Sequence, residues 1–280
     1  MFDLNDYDKE SVEASRAVLI DALTVLGRYI DDIVIVGGWV PELRFPGKGH
    51  IGSIDADLAI RPGRLTIENA YTTIRNLLLA AGYHQDTALP NRFERVVKVG
   101  GKDIPVKLDL ITGEQSGAEP NRPAMIQGLP VAKLRGVDLA FDFSSRLPVS
   151  GALPDGGLNR VTANVTDARA HIAMKGITMW ERKKEKDAYD IYFTLQNCSN
   201  DSQALAEEFR KVLGHPLVAE GLAKIRAKFS SVDDIGPVWA SQVVEQQGGD
   251  AELARRDAFE RADALLKALE IKPWMDERRK

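Results

Sequence analysis

The spacing of apolar residues changes character repeatedly over the first half of the chain. From 9 to 28, Val12, Val18, Leu19, Leu23 and Leu26 recur at helical intervals and predict an opening helix. "DIVIVGG" is a continuous apolar run stopped by Gly37 and Gly38, which predicts a short buried strand. "WVPEL" predicts a brief helix with Pro41 tolerated in its first turn. "DADLAI" predicts a second strand. Thr66 is placed to cap a helix carrying Ile67, Ala70, Ile74, Leu77, Leu78 and Ala81, closed by Gly82. "RFERVVKVGGKDIPVKLDLI" alternates on both sides of Gly100-Gly101, the pattern of a β-hairpin.

Beyond Gly113 the pattern loosens. Pro120, Pro123, Pro130, Pro148, Pro154, Gly156 and Gly157 separate short alternating pieces such as "LPVAKL" and "NRVTANV", which predicts a small β-rich connector over 113–165. From Thr166 onward the spacing is helical. One long amphipathic segment is predicted to about Leu195, then others over 202–213, 216–229, 237–246 and 250–270, broken at Gly214-His215-Pro216 and Gly248-Gly249. The expected organisation is an α/β domain over 1–112, the connector over 113–165 and a helical lobe over 166–280.

Composition narrows the class. With 44% hydrophobic and 28% charged residues, the 280-residue chain has the make-up of a soluble globular protein. Its net charge of -4 argues against a bulk electrostatic grip on nucleic acid, so such a partner requires a local basic patch. A single cysteine, Cys198, excludes an intramolecular disulfide and a cysteine-based zinc site, and fits a reducing compartment. No apolar run approaches the ~20 residues of a membrane span, and "MFDLNDYDKE" lacks the apolar core of a signal peptide. A cytoplasmic protein is the expectation.

The chemistry lies in the carboxylates. Residues i and i+2 of a strand project from one face, so Asp55 and Asp57 point the same way among the apolar Ile54, Ala56 and Leu58. Like charges this close repel unless a cation neutralises them. Hard oxygen ligands with open positions suit Mg²⁺ or Mn²⁺. Asp109 alternates with Leu108 and Leu110 and faces away from them. If its strand neighbours that of Asp55 and Asp57 at a spacing of ~4.8 Å, three carboxylates surround one point, as metal-assisted phosphoryl transfer requires. Gly37-Gly38 would let backbone approach a phosphate, and Ser53 can offer it a hydroxyl.

This order of strand, Gly-Gly, short helix, Ser-x-Asp-x-Asp and a later strand Asp resembles the nucleotidyltransferase (polymerase-β-like) superfamily over roughly residues 30–112. The resemblance implies an α/β nucleotidyltransferase fold, a mixed sheet flanked by helices, followed by a mainly α-helical lobe. It further implies NTP as substrate and a metal site at Asp55, Asp57 and Asp109. The basic residue that often precedes the Ser-x-Asp-x-Asp run is replaced by Gly52, and Arg44, Lys48 or His50 would have to substitute.

A second stretch, "AHIAMKGITMWERKKEKDAYDIYFTL", carries Ala188, Ile191, Tyr192 and Leu195 on one face. Lys186 and Asp190, like Lys183 and Asp187, are spaced as i,i+4 pairs, the pattern of a solvated helix. Its order of Lys, Arg-x-Lys and Lys-Asp-x-x-Asp-h-Tyr also resembles the AbiEii/MenT family of toxin-type nucleotidyltransferases. That resemblance implies that Lys175 contacts the nucleotide, with Asp187, Lys186 and Asp190 completing the site. It implies an RNA acceptor such as the tRNA 3′ end, or a protein hydroxyl, and an antitoxin partner. Arg182, Lys183, Lys184, Lys186 and the tail Arg278, Arg279 and Lys280 are the candidate RNA-binding cations. Two other readings stay open: an aminoglycoside-like small-molecule nucleotidyltransferase, and a non-catalytic nucleotide- or RNA-binding module.

Overall fold

The computed structural model describes residues 4–62, 73–114, 122–199 and 201–275. The chain divides into two compact units, one over Asn5–Asp167 and one beginning at Ala168.

The first unit is mixed α/β. Helix α1 (Lys9–Val25) starts at Asp8, whose carboxylate accepts from the Ser11 N–H at 2.6 Å. Strand β1 (Ile33–Val36) is buried at every position and passes through Gly37 into a short turn and α2 (Val40–Arg44), with Pro41 in its first turn. Strand β2 (Asp55–Ile60), helix α3 (Ile74–Ala80) and strand β3 (His84–Gln85) follow. Thr73 caps α3; the expected cap at Thr66 lies outside the described residues. Gly82 takes a positive φ of 87°, the left-handed stop expected there.

Strands β4 (Arg92–Val99) and β5 (Lys102–Gly113) form the hairpin, with Gly100 and Gly101 at positive φ in its turn. Next come β6 (Ala124–Ile126), β7 (Leu129–Leu134), α4 (Asp138–Asp142), β8 (Ser144–Ala152) and β9 (Leu158–Thr166). The order across the sheet is β3-β4-β5-β2-β1-β9-β8. β7 pairs parallel with the far end of β5, and β6 pairs with β7.

Two pairings decide the architecture. β2 runs parallel to β5, and β9 runs parallel to β1 through Val34↔Asn164 and Ile35↔Val165. The second pairing corrects the expected division of the chain. Residues 113–165 are not a connector, because β8 and β9 extend the sheet beyond β1 and the unit ends at Asp167. Arg44 ties this addition down, donating to the Thr166 carbonyl and Ser145 Oγ at 2.8 Å each and to the Val165 carbonyl.

One face of the sheet is apolar. Ile33, Ile35, Ala56, Leu58, Ile60, Phe93, Leu108 and Leu110 pack with Ala14, Val18, Leu19, Ala22 and Leu23 of α1 in a single buried cluster. Each Val, Leu, Ile or Phe among them contributes about 1.5–3 kcal/mol on burial. With this face committed, the alternation of β2, β4 and β5 sends their intervening polar residues to the other.

The second unit is helical among the described residues: α5 (Ala168–Glu181), α6 (Glu185–Cys198), α7 (Ser202–Arg210), α8 (Pro216–Lys228), α9 (Ile235–Gln246) and α10 (Ala251–Ala268). The single helix expected to Leu195 is two, separated at Arg182–Lys184. α5 and α8 cross with backbones touching: a methyl on Gly176 would overlap the Gly221 carbonyl, and one on Gly221 would overlap Ala173. Among the described residues, no helix is long and apolar enough to cross a membrane.

Candidate active site

The sheet face opposite the core holds a lattice of charge. Asp57 pairs in register with Asp109 on the parallel neighbour, and Arg92 on β4 stands opposite Asp109 from the other side. One step along, Asp55, Lys107 and Glu94 form a second cross-strand row. In-register neighbours present side chains to one face, so Asp55, Asp57 and Asp109 share it with two cations and Glu94. The residues between them, Ala56, Leu108 and Phe93, are fully buried in the core.

Each carboxylate has a distinct setting. Asp55 accepts from Ser53 Oγ at 2.7 Å, and its backbone carbonyl accepts from Ser15 Oγ at 3.2 Å. Ser15 in turn accepts from Trp39 Nε1 at 3.0 Å, so a buried chain from α1 fixes the start of β2. Ser53, expected to offer its hydroxyl to a phosphate, is buried and gives it to Asp55.

Asp57 lies against Gly37. A methyl group at Gly37 would overlap the Asp57 carboxylate, and the backbone there has φ +71°. Glycine is therefore required twice over, by conformation and by contact. Gly38 is buried beside it.

Asp109 is gripped by a fork: Arg92 Nε donates to Oδ1 at 2.7 Å and Nη2 to Oδ2 at 2.8 Å. Those hydrogen bonds raise the guanidinium pKa above its ordinary value. Partial burial opposes them, and the charges of Asp109, Asp86 and Asp55 add to the rise. Asp55 therefore lies within electrostatic reach of Arg92. Sequence reasoning passed over Arg92, although a two-residue turn at Gly100-Gly101 places it opposite Asp109 by counting alone.

The loop residues expected to replace the missing basic side chain are otherwise occupied or exposed. Arg44 is committed to β8 and β9. His50 Nδ1 accepts from the Gly52 N–H at 3.1 Å, and Lys48 is exposed. Gly52 itself has φ +78°, and a side chain there would meet Val12, so no basic residue fits.

In kind, these donors are the ones a hard divalent cation takes, carboxylate oxygens from two adjacent strands on one face, with both oxygens of Asp109 already engaged by Arg92. Among the described residues, no three His, Cys, Asp or Glu side chains are placed together as a group that could hold a metal ion.

The four residues expected to hold the triphosphate are brought together inside the helical unit. Lys175 Nζ donates to Asp187 Oδ1 at 2.7 Å and stands 2.8 Å from Asp190 Oδ2. Lys186 donates to Asp190 Oδ1 at 2.9 Å, and Arg182 forks Asp187 through Nε at 2.9 Å and Nη2 at 3.1 Å. The expected Lys183–Asp187 pair gives way to these, because α6 begins only at Glu185.

Lys175, Lys186, Asp187 and Asp190 are all buried, and Arg182 is 53% exposed. Burial disfavours the Asp187 carboxylate, but Lys175 and Arg182 outweigh it and hold its pKa down at about 2. Burial likewise opposes the Lys175 ammonium, and the charges of Asp187 and Asp190 more than compensate and raise its pKa. Lys186 moves the other way: burial dominates, Asp190 compensates only in part, and Lys175 repels it. The difference follows from one lysine holding two carboxylates and the other sharing one of them.

Compared with models of known protein families and with curated proteins, the chain gives no match.

Proposed function

We propose that the Asn5–Asp167 unit is a metal-dependent nucleotidyl-transfer centre, moving an NMP from an NTP to a hydroxyl acceptor. The observation that carries this reading is the parallel register Asp57↔Asp109, with Asp55 on the same face. In the reaction, the acceptor oxygen bonds to the α-phosphorus, the bond to the bridging oxygen of the β-phosphate breaks, and pyrophosphate leaves with that electron pair. The hydroxyl proton passes to a carboxylate of the row, and Asp109 is the residue proposed for that part.

A divalent ion held by Asp55, Asp57 and Asp109 would supply charge neutralisation and Lewis acidity. The chain's own part is positional. Ser53 orients Asp55, Gly37 leaves room for Asp57, and Arg92 fixes the plane of Asp109. The resemblance also assigns Lys175, Lys186, Asp187 and Asp190 to the triphosphate. Their burial and mutual pairing support a structural part within the helical unit.

The test is incubation of the full chain with α-labelled NTPs and Mg²⁺, with total RNA or with no added acceptor. Label transfer lost in Asp57→Ala and Asp109→Ala supports the centre. Transfer that survives Asp57→Ala refutes it. The Arg92 fork favours one rival reading, a binding surface whose acids are neutralised by protein cations, and that reading expects neither transfer nor Mn²⁺ binding.

A further inference from the structure

We infer that Arg92 is a positioning residue of this centre that doubles as its built-in counter-charge. It holds Asp109 in a fixed plane and lowers the row's affinity for a divalent ion. The inference rests on the nucleotidyl-transfer reading and goes beyond it, because that reading requires only the carboxylates.

The geometry supplies the reason. Asp57 and Asp109 face the same way on neighbouring strands, with Asp55 beside them, and three like charges cannot share so small an area without compensation. Lys107 is exposed and stands in the neighbouring row. Arg92 is different: it lies in the same row as Asp57 and Asp109, is 29% exposed and forks both oxygens of a carboxylate that is itself only 17% exposed. A planar fork fixes the carboxylate's orientation as well as its charge, which a lysine cannot do. The side chain therefore performs two separable tasks. As a charge it competes with any cation for Asp109; as a fork it aims the carboxylate.

Those tasks predict effects of opposite sign. Removing a positive charge from beside a cation site tightens cation binding, here by about tenfold or more for Mn²⁺. Losing the fork lets Asp109 turn, so turnover falls.

The experiment measures Mn²⁺ binding by electron paramagnetic resonance, and label transfer, on the full chain and on Arg92→Gln, Arg92→Lys and Asp57→Asn, with circular dichroism as the check on folding. Arg92→Gln is expected to bind Mn²⁺ more tightly while kcat falls at least tenfold. Arg92→Lys, which keeps the charge and loses the fork, should bind Mn²⁺ within about threefold of the parent and still lose turnover. A folded Arg92→Gln with unchanged or weaker Mn²⁺ affinity overturns the inference. If Asp57→Asn loses the metal in the same series, the nucleotidyl-transfer reading survives that result. Absence of Mn²⁺ binding in both the parent and Arg92→Gln overturns the two together.

Discussion

Replacing Asp187 by Asn tests whether the charged cluster of the helical unit holds the fold together. Asp187 is fully buried and receives Lys175 and Arg182. Its folded pKa is about 2, against an ordinary value of 3.8. At about 1.4 kcal/mol for each tenfold change in proton affinity, ionised Asp187 adds about 2–3 kcal/mol of stability. Because the folded value lies below the unfolded one, this stabilisation is fully present above roughly pH 4 and disappears as pH falls through about 2.

The variant also leaves Lys175 with only Asp190, and stranding a buried partner brings the total cost at pH 7 to about 3–5 kcal/mol. Urea unfolding of parent and variant between pH 7 and pH 2.5 should show that deficit at neutral pH, with its ionic part reduced to about half near pH 3. A deficit below about 1 kcal/mol at pH 7, or one that does not change with pH, refutes a structural role for the pair.

Three further outcomes follow from the geometry. Gly37→Ala should cost about 1–2 kcal/mol from its backbone conformation alone; by displacing Asp57 it should also abolish label transfer, and transfer at the parental rate would contradict the placement of Asp57. Arg44→Ala strips a guanidinium from the Thr166 and Val165 carbonyls, so it should cost about 1.5–3 kcal/mol, with faster amide exchange at the end of β9 than in β4. Gly221→Ala forces α5 and α8 apart and should destabilise the protein by at least about 1–3 kcal/mol in urea titrations, whereas Gly214→Ala, where a methyl meets nothing, should be far milder.

Much of the first unit could be read from residue order because its signals are local. The hairpin at Gly100-Gly101, the buried run of β1, the short helix starting near Pro41 and the outward turn of Asp109 all follow from periods of two or 3.6. The Arg92–Asp109 fork was within reach of the same counting. The role of residues 113–165 was not, because β9 joins β1 across about 130 positions and β7 joins β5 by parallel pairing. Neither union leaves a mark in the spacing of nearby residues.

The helical half shows the sharper limit. Lys186 and Asp190 carry the spacing of a solvated ion pair, yet both are buried, because Lys175 from α5 supplies a third charge. Alternation alone determined that Asp55 and Asp57 share a face and that Asp109 turns away from the core, since a strand's two sides are set by parity. Only the tertiary structure decided that these acids lie side by side on neighbouring strands. It also decided that the lysine–aspartate motif turns inward. Strand neighbours and helix burial depend on contacts between distant segments, which no local period encodes.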